Sequence, residues 1–290
     1  MNSTNPTEEY FSWCLQHPGT SHFADVAGNR IHYLEWSGPK NAPALLLIHG
    51  FMGHAHWWDF VAPALAENYR VLAMDIGGMG DSGYREKYSL DTCVAEIAGV
   101  IRHANLSPAT VIGHSFGGRC TILTAHAHPE LIERIIVVDS HMSFGDEERK
   151  RRFNRETRRE KKRYPDLASA KLRFRLVPEE PKPDSQVLDH IATHSLKQDG
   201  DAWIWKFDEA VMDRMSRPTV TDAEALPQLK VSMDFVCGAH SVVVPREHAM
   251  RVGSLIPRGR GPIIIPGAHH HVPIGQPIAL VSVLRTLLAK

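Results

Sequence analysis

Short apolar runs alternate with amphipathic stretches along most of the chain. Strands are expected at residues 30–36, 44–48, 69–74, 110–112, 134–138, 231–236 and 262–265. Helices are expected between them, at residues 57–67, 90–104, 117–128, 246–255 and 276–288. Strands and helices that alternate in this way form a parallel sheet with helices on its faces.

The alternation stops between residues 141 and 228. Charged residues and six prolines replace the apolar runs there, and a strand-like run returns at residue 231. This stretch is therefore expected to be a helical cap inserted into one sheet. The expected division is an α/β core of residues 1–140 and 229–290, with a cap or lid of residues 141–228.

Composition narrows the class of protein. A chain of 290 residues with 43% hydrophobic residues can build a large core without disulfides or a structural metal. Its 33 basic and 33 acidic residues give no net charge, which argues against a nucleic-acid-binding protein. No apolar run approaches the roughly 18 residues of a membrane span. We read no signal peptide, expect four free cysteine thiols and predict a cytoplasmic protein, with a homodimer left open.

One strongly basic run departs from this balance. Residues 149–163, RKRRFNRETRREKKR, carry ten basic and two acidic side chains. The run fits a solvated cap helix with internal pairs such as Glu156 with Arg159 and Glu160 with Arg163. It also fits a surface that attracts an anionic substrate. Phe153 is its only aromatic residue, so nucleic-acid binding by base stacking is not expected.

A serine between two glycines is the strongest chemical signal. Gly113, Ser115 and Gly117 form a G-x-S-x-G motif, with an apolar strand before it and a helical stretch after it. A tight strand-to-helix turn needs small neighbours and exposes the serine hydroxyl as a nucleophile. The structural alternative is a glycine–serine turn that only closes a βα unit.

A serine nucleophile needs an imidazole, and three adjacent histidines are candidates: His269, His270 and His271. A second group, His49, His54 and His56, raises the question of a metal site. The chain has no HExxH or CxxC spacing, and consecutive histidines cannot all face one point. We therefore expect no metal and no cofactor.

Four motifs in chain order together resemble those of the α/β-hydrolase superfamily. They are HGFMG at 49–53, DIGGMGDS at 75–82, GHSFGG at 113–118 and PGAHHH followed by QP at 266–277. The resemblance covers nearly the whole chain. It implies a mostly parallel eight-stranded α/β-hydrolase sheet flanked by helices, with a helical cap inserted after the sixth strand.

The resemblance also implies residue roles. Ser115 matches the nucleophile, and alignment of the last motif makes His270 the base. The oxyanion hole would take the backbone N–H groups of Phe51 and Phe116. The alternative for the loop at 49–50 is a tight turn with a structural histidine.

The expected acid is displaced from the usual place in the family. Most members carry an Asp after the seventh strand, where this chain has Ser241. Some members carry it after the sixth strand, paired with a serine in the later turn, which makes Asp139 the candidate. The alternative is that Asp139 serves only as the N-cap of the first turn of the inserted lid. Asp75 belongs to a structural turn, and Asp234 lies within a strand.

The resemblance implies a serine hydrolase of a small, fairly apolar carboxylic ester, lactone or thioester, a small-molecule substrate. Dehalogenases and epoxide hydrolases of this fold carry Asp in place of Ser115. Two alternatives stay open: hydrolysis of a C–C bond in a ring-cleavage product or β-diketone, and a non-catalytic receptor.

Aromatic and other apolar residues of the cap are expected to line the substrate pocket, unless they pack in the cap or core. The candidates are Met142, Phe144, Leu172, Phe174, Trp203, Trp205 and Met212, together with Trp57 and Trp58 after the oxyanion loop.

Overall fold

A computed structural model describes residues 5–142, 144, 162–216 and 218–289. Its strands are β1 (Thr20–Val26), β2 (Asn29–Trp36), β3 (Ala44–Ile48), β4 (Arg70–Met74), β5 (Ala109–His114), β6 (Ile132–Val138), β7 (Leu196–Asp199), β8 (Ala202–Trp205), β9 (Ser232–Gly238) and β10 (Gly259–Ile265). Eight of them form one sheet in the order β1-β2-β4-β3-β5-β6-β9-β10. The β1–β2 and β2–β4 pairs are antiparallel, and the other neighbouring pairs are parallel.

Helices cover both faces of this sheet. The α-helices are α1 (Pro6–Gln16), α2 (Ala62–Ala66), α3 (Leu90–His103), α4 (Phe116–Ala127), α5 (Leu167–Lys171), α6 (Ser185–His194), α7 (Asp222–Ala225), α8 (Arg246–Leu255), α9 (Val272–Gly275) and α10 (Pro277–Leu288). Short 3₁₀ helices occupy Ala55–Trp58, Pro129–Leu131 and Leu226–Gln228. The mostly parallel eight-stranded sheet expected from the sequence is confirmed.

Strand β3 shows why a central strand reads as a continuous apolar run. Leu46 and Ile48 belong to the cluster that includes apolar residues of α3 and α4. Leu45 and Leu47 belong to the cluster on the other face, with residues of α2 and α10. Because successive side chains point to opposite faces, both sets are buried when helices cover both faces.

Two elements near the N-terminus were not expected from the sequence. Strand β1 is an edge strand in which only Ala24 is fully buried, so it lacks an apolar pattern. Helix α1 buries only Phe11 and Cys14.

The single helix expected at residues 57–67 is instead a 3₁₀ turn followed by the short helix α2.

The chain between β6 and β9, residues 141–228, is called the insertion below. Its described part contains α5, α6 and α7, but it is not helical throughout, because β7 and β8 form an antiparallel pair. Each of these strands has four residues, and β8 buries only Ala202 and Ile204 on one face. Runs this short cannot be distinguished from a loop by their pattern.

Two further observations concern the chain as a whole. All four cysteines are buried free thiols, as expected. Within the described ranges, no helix has both the length and the apolar character needed to cross a bilayer.

Candidate active site

Ser115 occupies a sharp turn between β5 and α4. Its φ of 53° and ψ of −117° lie outside the regions that non-glycine residues usually adopt. Such a conformation costs about 1–3 kcal/mol and persists because the surroundings hold it. The backbone N–H of Ser115 donates to Val138 O at 2.9 Å, and Ser140 Oγ donates to Ser115 O at 2.6 Å. The turn is therefore held by the end of the neighbouring strand β6.

Close packing explains the two motif glycines. A Cβ atom at Gly113 would lie 2.4 Å from Thr121 Oγ1 and 2.5 Å from Gly117 O. A Cβ atom at Gly117 would lie 2.4 Å from His49 O. Any side chain at either position would push apart the strand, the helix and the loop after β3.

His270 and Asp139 form a buried hydrogen-bonded pair. His270 Nδ1 lies 2.8 Å from Asp139 Oδ1, and both side chains are buried. The carboxylate engages Nδ1, which leaves Nε2 for the proton chemistry of a general base. Ser115 and His270 line the same cleft. No hydrogen bond joins them among the described residues, and such contacts often tighten only when substrate binds.

Asp139 has no exposed surface, and its oxygens have three partners. Ser241 Oγ donates to Oδ1 at 2.6 Å, and Gly238 N donates to Oδ2 at 2.7 Å. With His270, these donors satisfy a buried carboxylate that would otherwise be costly. Ser241, at the position where most family members carry the acid, thus contacts the carboxylate that comes from β6.

Contacts that the sequence did not reveal hold the loop that carries His270. His114 Nε2 lies 2.9 Å from His270 O, and burial lowers the pKa of His114 well below its usual value. In the insertion, the Oε2 atom of Glu180 lies 3.0 Å from the Nδ1 atom of His271. Burial raises the pKa of Glu180, but the hydrogen bonds and positive charge of His271, together with the charge of His270, outweigh it and lower the pKa. Glu180 is one of several charges in a proline-rich stretch, so no pattern distinguishes it.

Phe51 and Phe116, the two residues expected to supply the N–H groups of the oxyanion hole, lie side by side. Their rings meet edge to face with centroids 5.4 Å apart. Phe116 is the first residue of α4, where backbone N–H groups lack helical acceptors. In the described part of the chain, neither residue's N–H has a protein acceptor. Both donors are therefore free to bind an oxygen.

His49 supports this loop. Its Nδ1 lies 2.7 Å from Gly50 O, and its Nε2 accepts from Ile76 N at 3.0 Å. This arrangement fits a neutral ring, and burial lowers the pKa of His49. His49 thus holds the loop after β3 in place, and Gly50 of that loop lines the cleft.

A cleft of about 910 Å³ opens above Ser115. Of the residues expected to bind substrate, it is lined by Trp57, Phe174, Trp205 and Met212. Phe51, Leu176 and Phe207 add further apolar surface. The apolar wall comes from both the core and the insertion.

The other candidates lie outside the residues that line this cleft. Trp58 and Met142 are fully buried, each in a core cluster, and Phe144 packs against His248 and Arg251. Trp203 pairs with Tyr164 through backbone hydrogen bonds. Leu172 is 74% exposed. Apolar character alone could not separate packing residues from cleft residues.

Most of the basic run lies outside the described residues. Both residues of the expected Glu156–Arg159 pair, and Glu160 of the expected Glu160–Arg163 pair, lie there too. Lys162 lines the cleft. Arg163 instead pairs with Asp199, with Nη1 and Oδ2 at 2.6 Å.

Two other carboxylates considered for the acid role have structural partners. Asp75 Oδ2 contacts His32 Nδ1 at 2.7 Å and accepts from Asp81 N at 2.8 Å. Asp234 is paired with Arg134 and Arg260. Neither carboxylate contacts His270 in the described structure.

Comparisons with known proteins agree with this architecture. Residues 43–175 match the family model for the α/β hydrolase fold. The chain is 30% identical to human epoxide hydrolase 4 over 141 residues, which are 46% of this chain and 39% of that protein. It is 26% identical to an esterase of Mycobacterium tuberculosis over 272 residues, covering 91% of this chain and 88% of the esterase.

Solved structures show the same fold. A thioesterase domain from the curacin biosynthetic pathway superposes with a TM-score of 0.78 at 24% identity, covering 92% of this chain and 99% of the domain. The order of the eight strands and these comparisons show that this chain has the α/β-hydrolase fold.

Proposed function

We propose that this protein is a serine hydrolase that cleaves a carboxylic ester, lactone or thioester through Ser115, His270 and Asp139. The observation that carries the proposal is the 2.8 Å contact between His270 Nδ1 and Asp139 Oδ1, beside a serine on a strained turn in the same cleft. This arrangement supplies a nucleophile, a base and an orienting acid.

The proposed reaction proceeds in two stages. Ser115 Oγ attacks the carbonyl carbon while His270 Nε2 takes its proton, and the N–H groups of Phe51 and Phe116 bind the oxyanion. His270 then protonates the leaving alcohol or thiol, which leaves an acyl-Ser115 intermediate. Water, activated by His270, releases the acid and restores the serine.

The described site favours this reaction over the other functions considered. A receptor was an alternative because the usual acid is absent, and the contact of Asp139 with His270 supplies a group for that role. Human epoxide hydrolase 4 is a relative, but Ser115 stands where epoxide hydrolases of this fold carry Asp. The names of the mycobacterial esterase and the thioesterase domain agree with acyl transfer.

The cleft suggests a substrate with apolar and anionic parts. Four cationic side chains line it, Lys162, Arg173, Arg175 and Lys206, and its described lining contains no carboxylate. Lys206 is paired with Asp81 at 2.7 Å, which leaves the other three as the main source of positive potential. Trp57, Phe174 and Trp205 supply the apolar wall. We propose that the substrate carries an apolar acyl part and a negative charge near the cleft opening.

Covalent capture tests the proposed mechanism. A fluorophosphonate probe should label the wild type but not Ser115→Ala, and mass spectrometry should place the adduct on Ser115. A p-nitrophenyl ester should give a burst of nitrophenol equal to the active-site concentration if deacylation is slower than acylation. Equal labelling of the two proteins, or no labelling of the wild type, would contradict the proposal.

A C–C bond hydrolase could label in the same way, so substrate comparison is a second arm. The wild type should hydrolyse p-nitrophenyl esters at a higher kcat/KM than a β-diketone of similar size. The reverse order would assign the triad to C–C cleavage.

A further inference from the structure

Three histidines and an aspartate meet outside the cleft, where the insertion contacts the core. His56 and Asp59 belong to the core segment that follows β3. His190 and His194 lie four residues apart on α6 of the insertion, which places both on one face of that helix. The cluster therefore joins two parts of the chain more than 130 residues apart in sequence.

The ring nitrogens converge. One nitrogen each from His56, His190 and His194 lies within 4.8 Å of the others. Asp59 Oδ2 lies 2.8 Å from His56 Nδ1 and 2.6 Å from His190 Nε2. Asp59 Oδ1 is buried and has no hydrogen-bond partner in the described structure.

A purely structural hydrogen-bond network would need only two of these histidines. His56 and His190 already satisfy Asp59 Oδ2, and His194 makes no hydrogen bond within the described ranges. Its ring instead stacks on His56 with centroids 3.6 Å apart. A third imidazole that makes no hydrogen bond there, and whose ring nitrogen lies within 4.8 Å of those of His56 and His190, fits a ligand better than a packing role.

We propose that His56, His190, His194 and Asp59 bind one transition-metal ion, with Zn²⁺ as the reference ion. Three imidazoles and a carboxylate form a donor set suited to zinc, copper or nickel, whereas magnesium and calcium prefer oxygen ligands. The stacked rings of His56 and His194 must turn about χ2 so that their lone pairs meet at one point. This torsion is broad for histidine, so the adjustment is small.

The position of the proposed metal site indicates which parts of the protein a bound ion connects. His54 and Ser195 both line the catalytic cleft, and His54 Nε2 lies 2.9 Å from Ser195 Oγ. His54 is two residues from His56, and Ser195 directly follows His194. An ion bound here links α6 to the core beside the wall of the cleft. This effect does not depend on which substrate the cleft accepts.

The other candidate metal group is already explained by protein contacts. His32, Asp75 and Asp81 also lie close together. Asp75 accepts from the backbone N–H groups of Ala55 and Asp81 and contacts His32, while Asp81 pairs with Lys206. Those contacts already satisfy the two carboxylates.

Metal binding to the full-length protein, stripped with EDTA, tests the inference. Zn²⁺ titrated against a chromophoric chelator should occupy one site, and Zn²⁺ but not Mg²⁺ should raise Tm. His194→Gln and His190→Gln should each weaken binding at least tenfold and remove the rise in Tm. His103→Gln, on the exposed end of α3, is the matched control and should behave as the wild type.

Co²⁺ provides a readout that does not depend on stability. Co²⁺ bound to the wild type should show visible absorption typical of four-coordinate nitrogen and oxygen ligands, and His194→Gln should lose it. Circular dichroism checks that each variant is folded. Absence of Zn²⁺ binding, or equal binding by wild type and His194→Gln, overturns the site, because the latter places the ion at other histidines.

Discussion

Asp139 Oδ1 lies 2.8 Å from His270 Nδ1, although the two residues are 131 positions apart in the chain. The sheet order brings them together, because β6, which precedes Asp139, pairs with β9, which pairs with β10, and His270 follows β10. Asp139 thus follows β6, the strand that lies beside β9 in the sheet, whereas Ser241 follows β9 itself.

Replacement of Asp139 by Asn is expected to lower kcat by about 10⁴-fold, because the imidazole loses the carboxylate that orients it and stabilises its charged form. Steady-state hydrolysis of a p-nitrophenyl ester measures this. Asp201→Asn, on an exposed turn, is the control. If Asp139→Asn is folded and retains activity within tenfold of the wild type, Asp139 does not act as the acid.

Ser241 is expected to matter through Asp139. Ser241→Ala removes a hydrogen bond to a buried carboxylate and should lower the free energy of unfolding by about 1–3 kcal/mol. It should reduce kcat far less than Asp139→Asn, since His270 and Gly238 still hold the carboxylate. Urea unfolding with parallel kinetics tests this against Ser282→Ala on the exposed face of α10. Full loss of activity in a folded Ser241→Ala protein would assign Ser241 a direct role.

Glu180 is expected to position the catalytic loop from the insertion. Glu180→Gln weakens a buried contact with His271 and should destabilise the protein by about 1–3 kcal/mol. Because His271 adjoins His270, kcat should also fall. Glu179→Gln is the matched control, since its side chain is exposed and adjacent in sequence. Identical Tm and kcat for the two variants would show that the Glu180 contact has no such role.

The cationic cleft predicts a preference for anionic esters. Arg173→Gln and Lys162→Gln should each raise KM for an ester with a carboxylate tail by roughly twofold to fivefold, as expected for exposed charges. KM for a neutral ester of equal length should not change. Added salt should weaken the wild-type preference. Lys230→Gln, away from the cleft, removes the same charge as a control, and an equal effect of all three substitutions would indicate a nonspecific influence of net charge.

The insertion should loosen from the core in acid when no metal is present. Burial, followed by the positive charges of His56 and His190, lowers the pKa of His194 to about 3. The unfolded chain binds a proton at this residue below about pH 6.5, whereas the folded chain resists it until about pH 3. Stability is therefore lost as pH falls through that interval. Scanning calorimetry in EDTA should show a larger drop in Tm from pH 7 to pH 4 for the wild type than for His194→Gln, and equal drops would refute the role of His194.

Local signals in the sequence predicted the central strands and the turn at Ser115. Residues 44–48 are a continuous apolar run, and residues 110–119 contain an apolar run, the glycines of the turn and the helix start within ten positions. Strand β1 was missed because a mostly exposed edge strand has no apolar pattern. Strands β7 and β8 were missed because each has only four residues.

The sequence by itself determined that an α/β sheet would carry a serine on a tight strand-to-helix turn, since that choice depends on neighbouring residues and their backbone constraints. Only the tertiary structure decided which carboxylate meets His270, which aromatic residues face the cleft and which histidines converge between the insertion and the core. Those relationships join residues far apart in the chain. They depend on strand order and packing, which no local pattern encodes.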